Sequence, residues 1–202
     1  MFQKVDYGFE LMSEKILQWL SHNVELTKEQ LMIRRFAIQS ILNEAIKLIV
    51  LAILFGVMHN LALYICSVVT LASTRCFMGG THRKTILGCF LQSLLTFMVL
   101  IELSKRVYIY PYHSIVYLLA LVVIWKSSPV CAERRIHYGT ASKMKFRAKA
   151  ISAVLFITCI AEMMPCQLQN CMIWTLLYQS IETFFVYTIK EKQEGGKRNN
   201  DR

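Results

Sequence analysis

An all-α, polytopic membrane fold is predicted by three properties of the chain: its hydrophobic content, the lengths of its apolar runs and the placement of its basic residues. Of 202 residues, 55% are hydrophobic, and the mean hydropathy is +0.41, too apolar for an ordinary soluble domain. A helix crossing a bilayer needs about 20 mostly apolar residues. Six segments are candidates: 36–55, 61–78, 85–103, 108–125, 150–164 and 169–189. If they alternate across a membrane, 20 of the 23 Lys and Arg residues collect on one side. These lie before the first segment, around the 2–3 and 4–5 connections, and after the sixth. Lys105 and Arg106 lie on the other side and Lys47 within a segment. Positive residues stay cytoplasmic, so both termini and the connection holding His82 are expected in the cytoplasm.

Three regions follow from this pattern. Residues 1–30 form an amphipathic N-terminal helix and a capping turn. Val5, Phe9, Met12, Ile16, Leu17 and Leu20 recur at helical spacing with Asp6, Glu10, Glu14 and Lys15 between them, as in a helix lying on a membrane or beneath a bundle. Thr27 and Gln30 have the spacing of a capping box. Residues 31–190 form the six-helix membrane domain. Its first two segments are joined by a tight outer turn over 56–60, and its fourth opens on Tyr108, Tyr110 and Tyr112 and ends at Trp125, as aromatic anchors at both interfaces would. The fifth segment is short, which calls for tilt, local thinning or a partly buried position. The 4–5 connection contains Pro129 and then a basic run to Lys149. Residues 191–202 are polar and are expected to be a disordered cytoplasmic tail.

The net charge of +10 is mostly a consequence of this topology, and it also suits anionic lipid or an acidic partner. Nucleic acid is disfavoured as a partner, because the basic residues sit in short interhelical connections rather than on one recognition element. Seven cysteines with no CxxC pair argue against a disulfide framework or a zinc finger. Most sit in the apolar segments and are expected to be inert small hydrophobes, although Cys166 and Cys171 fall near the outer face and could pair. No removable signal peptide is evident, and there is no internal repeat of the kind that builds transporters.

Ionisable groups inside the apolar segments are costly and face the bundle interior or a wet cavity. Gln39, Asn43 and Lys47 share one face of the first segment with Glu44 beside them, and Gln179, Glu182 and Thr183 cluster in the sixth. Glu44 and Lys47 have the i,i+3 spacing of a helical ion pair. A transporter or channel lined by Glu44, Lys47 and Glu182 is one functional class these groups allow. A non-catalytic scaffold that binds through its basic loops is another.

The concentrated chemistry lies between the second and third segments, in Arg75-Cys76-Phe77-Met78-Gly79-Gly80-Thr81-His82, with Cys89 seven residues after the histidine. A thiol and an imidazole are the two groups that cysteine nucleophilic catalysis needs, because the attacking species is the thiolate. Cys89 is the candidate nucleophile and His82 the base that takes its proton and returns it to the leaving amine. Arg75 and the backbone amides of Gly79 and Gly80 are candidates to stabilise charge on a carbonyl oxygen, glycine allowing close approach of the backbone. No metal or organic cofactor is required. A regular helix from 82 to 89 would hold the two positions roughly 10 Å apart, so a direct dyad needs a break at Gly88 or before Thr85, a rearrangement, or a dimer partner. As bland alternatives, the glycines are only a turn, the arginine is an anchor and Cys89 is one buried thiol among several.

At these residues the chain resembles the accessory gene regulator B (AgrB) family, membrane peptidases of Gram-positive quorum sensing. The match is Arg75, then Gly79-Gly80-x-His82, then Cys89, between the second and third hydrophobic segments. Size, basic loops and the Pro129-containing connection are also similar. The resemblance implies a cysteine endopeptidase that trims the C-terminal part of an AgrD-type propeptide and promotes its cyclisation to a thiolactone or lactone. It implies His82 and Cys89 as the catalytic pair, with Arg75 and Gly80 supporting the site. It also implies a homodimer.

Overall fold

The computed structural model describes Lys15 and residues 28–78, 85–109, 112–127 and 140–200. Among these residues there are six helices and no strand: α1 Lys28–Val57, α2 Leu61–Met78, α3 Ile86–Arg106, α4 His113–Ser127, α5 Thr140–Glu162 and α6 Cys166–Asn200. The amphipathic helix and capping turn expected over residues 1–30 lie almost wholly outside the described residues, as do Pro129 and the start of the basic connection that follows it.

Among the described residues three stretches are long and apolar enough to cross a membrane, Gln30–Val57, Leu61–Met78 and Leu87–Arg106, and His113–Ser127 is a shorter apolar helix. The fifth and sixth segments do form helices, but their composition is more polar. α5 opens on Lys143, Lys145, Arg147 and Lys149, and α6 carries Gln169, Asn170, Gln179 and Glu182. The chain divides into two compact units, Met1–His59 with Arg83–Leu94, and Asn60–His82 with Leu95–Arg202.

In the first unit α1 ends in a turn closed by Met58 N–H to Leu54 C=O (3.1 Å) and His59 N–H to Gly56 C=O (3.0 Å). His59 takes a left-handed conformation there, with φ 55°, the geometry that ends many helices. The other described part of this unit is the start of α3, which opens at Ile86 after Thr85.

In the second unit α6 packs against α2, α4 and α5, and α5 also packs against α2 and α4. Met78, Ala120, Ile124, Ala150, Val154, Ile157, Ala161, Met172 and Leu176 form its core. Ala150, Val154, Ile157 and Ala161 are a single stripe at helical spacing, so α5 occupies a partly buried position. Polar residues are also turned inward: Ser67, Thr70, Thr74, Asn170, Thr175, Gln179, Ser180 and Thr183 are buried, while Ile65, Val69, Leu118, Phe156 and Phe185 are exposed. Small hydroxyl-bearing residues between helices with large apolar side chains outward is the arrangement expected where the solvent is lipid.

Asn170 of α6 holds the end of α3. Its Nδ2 donates to the carbonyls of Ser104 (2.7 Å) and Val107 (2.8 Å), and its Oδ1 accepts from Ile109 N–H (3.1 Å). This explains a difference from the sequence expectation: the chain at Tyr108 is not helical, and the fourth helix begins at His113, after Pro111. Proline lacks an N–H and restricts the residue before it. At the other terminus α6 continues to Asn200, through the tail whose composition predicts disorder; Glu191, Lys192, Gln193 and Glu194 are all good helix formers.

Candidate active site

Cys89 sits in the first turn of α3. Thr85 caps that turn, its Oγ1 accepting from Gly88 N–H (3.2 Å), and its carbonyl accepts from Cys89 N–H (3.0 Å). Thr85 is itself outside the helix, and Gly88 is inside it. Of the two breaks weighed for a His82–Cys89 dyad, Gly88 lies within regular helix, and the stretch before Thr85 falls outside the described residues. His82, Gly79 and Gly80 lie outside the described residues. A helix N-terminus carries partial positive charge from its unpaired N–H groups, and reactive cysteines are characteristically found at such termini.

The side chain that meets Cys89 comes from α1. Lys47 Nζ lies 3.8 Å from Cys89 Sγ and 2.7 Å from Glu44 Oε2. Lys47 is 7% exposed, whereas Glu44 is 47% exposed. The Glu44–Lys47 pair at i,i+3 is the one its spacing predicts. The contact with Cys89 joins residues 42 positions apart, and no local pattern announces it; the signal in the sequence was a lysine inside an apolar segment.

Arg75 lies in the second unit, in the last turn of α2. Its Nη2 donates to Glu182 Oε1 at 2.7 Å, with the side chains 25% and 8% exposed. Charge-assisted pairs of this kind are among the stronger hydrogen bonds. The Glu182 carboxylate of α6 is thereby matched by Arg75 of α2.

The remaining cysteines differ in surroundings. Cys171 is fully buried, with its sulfur 3.0 Å from Ser67 Oγ and its thiol donating to Leu63 C=O at 3.5 Å. Cys166 is exposed, and neither it nor Cys171 is bridged, so the pairing weighed from their spacing is not formed. Among the described residues no three His, Cys, Asp or Glu side chains gather as a metal site would require.

The family model for accessory gene regulator B (AgrB) matches residues 13–183. The chain belongs to that family. The match covers Glu44, Lys47, Arg75, His82, Cys89 and Glu182 together. A protein of Clostridium beijerinckii described as AgrB-like is 25% identical over 179 residues, covering 85% of this chain and 86% of the relative. No solved structure matches the chain. AgrB membership and several apolar helices identify a membrane protein, and membership points to a part in quorum-sensing propeptide processing.

Proposed function

We propose that this AgrB-family chain is a membrane cysteine endopeptidase acting on an AgrD-type propeptide, with Cys89 as nucleophile and His82 as general base. The observation that carries the reading is the placement of Cys89, at the capped N-terminus of α3 and against the ammonium of Lys47, in a chain of this family. Arg75, Gly79 and Gly80 support the site.

The thiol proton passes to the His82 imidazole as the sulfur attacks the scissile carbonyl. A carbon–sulfur bond forms, the tetrahedral oxyanion collapses, and the carbon–nitrogen bond breaks. The released tail leaves as an amine, taking its proton from the imidazolium. A Cys or Ser within the retained peptide then attacks the thioester, closing a thiolactone or lactone and returning Cys89 as the thiol. Exchange of one thioester for another conserves acyl activation, whereas reaching the first from an amide is uphill, so removal of the tail or export of the ring must draw the sequence forward. A site sheltered from water favours cyclisation over hydrolysis.

The reading extends to topology: six crossings, both termini and residues 79–84 in the cytoplasm, and two copies of the chain per assembly. The inward polar face of α6 and the one-sided distribution of basic residues support it. An acidic propeptide tail complements that basic face. A transporter reading is less well supported, because Glu44, Lys47, Arg75 and Glu182 are matched with opposite charges.

Co-expression with candidate propeptides tests the reaction. Wild type is expected to release a C-terminal tail and a cyclic product by mass spectrometry, and Cys89→Ala to release neither. Tail release undiminished in Cys89→Ala would contradict the proposal.

A further inference from the structure

We propose that Lys47 is a catalytic residue of this site: its ammonium is the counter-ion of the Cys89 thiolate, and Glu44 holds it in place. The proposal rests on the peptidase reading above, since it assigns a role within that reaction. Three observations lead to it. The ammonium lies 3.8 Å from the sulfur that must become anionic. Lys47 is buried to 7% exposure in an apolar helix, where a lysine is costly and marks function or a specific partner. The Glu44 carboxylate, 2.7 Å away and itself 47% exposed, compensates the charge of the lysine.

Pairing with Glu44 alone would account for a tolerated lysine, but not for its approach to this thiol from another helix. An ammonium has three N–H donors on a rotatable head. Lys47 can therefore bond Glu44 and Cys89 at once, as the two distances record. A neutral thiol gains little from such a neighbour. A thiolate in a low-dielectric setting gains a great deal.

The division of labour is explicit. The Cys89 proton goes to His82 and from there to the leaving amine, while Lys47 keeps its protons throughout. Its ammonium stabilises the sulfur anion before attack, and again when Cys89 is the leaving group in ring closure. Low-affinity proton transfer by lysine is not needed, because the nitrogen acts as a fixed charge. Glu44 is a positioning residue: it touches Lys47 and not the reacting sulfur.

The test is alkylation of Cys89 in the purified full-length protein, in detergent or lipid nanodiscs, at one near-neutral pH and without substrate. Iodoacetamide is the neutral probe, and the exposed Cys166 is the reference on the same molecule. Relative to Cys166, the Cys89 rate is expected to fall about tenfold in Lys47→Met and in Lys47→Gln, and to recover in Lys47→Arg, since the anionic attacking sulfur loses the neighbouring positive charge in the first two and keeps it in the third. Anionic iodoacetate is expected to lose more rate than iodoacetamide in the two neutral variants, a change that a purely structural role would not produce. Lys47→Gln keeps a hydrogen bond to Glu44 available and so guards against loss of fold in Lys47→Met. Wild-type Cys89 labelling in either neutral variant, or failure of Lys47→Arg to recover it, would overturn the proposal. Its failure is separable from that of the peptidase reading: undiminished processing in Cys89→Ala sinks the latter whatever the alkylation rates, whereas unchanged labelling in Lys47→Gln with processing lost in Cys89→Ala removes Lys47 alone.

Discussion

Cys89 has a distinctive setting because two local features coincide at it: a capped helix start and a buried lysine from another helix. The cap depends on the Thr85 hydroxyl, which accepts from Gly88 N–H at 3.2 Å. Thr85→Ala is expected to cost about 1 kcal/mol of local helix stability, read as faster hydrogen exchange at the Gly88 and Cys89 amides. Unchanged protection there would mean that the cap does not hold the turn. At this scale the sequence was partly legible. An i,i+3 spacing is a short-range signal, so Glu44–Lys47 could be anticipated. The contact of Lys47 with Cys89 was not, because it depends on how α1 meets the start of α3, which no local periodicity encodes.

At the scale of elements, buried polar side chains decide how the helices of the second unit are held. Asn170 satisfies two carbonyls and one N–H where α3 ends. Asn170→Leu is expected to destabilise the protein by about 1–3 kcal/mol, since buried backbone groups lose their partners; thermal unfolding in detergent measures it. The Arg75–Glu182 pair is the second device. Removing either partner alone is expected to cost about 3–5 kcal/mol, because the remaining charged group loses its charge-assisted bond, and removing both to cost less than the sum. A double-mutant cycle on unfolding reads this directly, and strictly additive losses would show that the pair is not coupled. Helix existence was legible from apolar run length for α1 to α4, and α2 has the bounds its hydropathy predicts. The fourth helix starts later than its apolar run because Asn170, a tertiary partner, binds the backbone over 107–109. The polar residues of α6 carried a signal as a cluster, but their partners on α2 and α3 are remote in sequence.

Among the described residues, many large apolar side chains face outward while hydroxyl and amide side chains are buried beside the apolar core, a pattern suited to lipid surroundings that follows from composition plus helical periodicity. The basic residues then give the orientation we propose. In a cysteine-free background of intact cells, an impermeant thiol reagent is expected to label Asn60→Cys and to reach Gly196→Cys only after permeabilisation. The reverse pattern would invert the topology and remove the site from the cytoplasmic side. The role of the Gly-Gly-x-His motif at the Cys89 site rests on the family pattern, because spacing alone leaves several routes by which His82 and Cys89 could meet and residues 79–84 lie outside the described structure.

The most direct measurement is the covalent intermediate itself. Wild-type protein incubated with its propeptide and digested is expected to carry the truncated peptide on the fragment containing Cys89, as an adduct released by hydroxylamine. An adduct on another residue, or tail release with no thioester at any time point while Cys89→Ala remains active, would contradict the account.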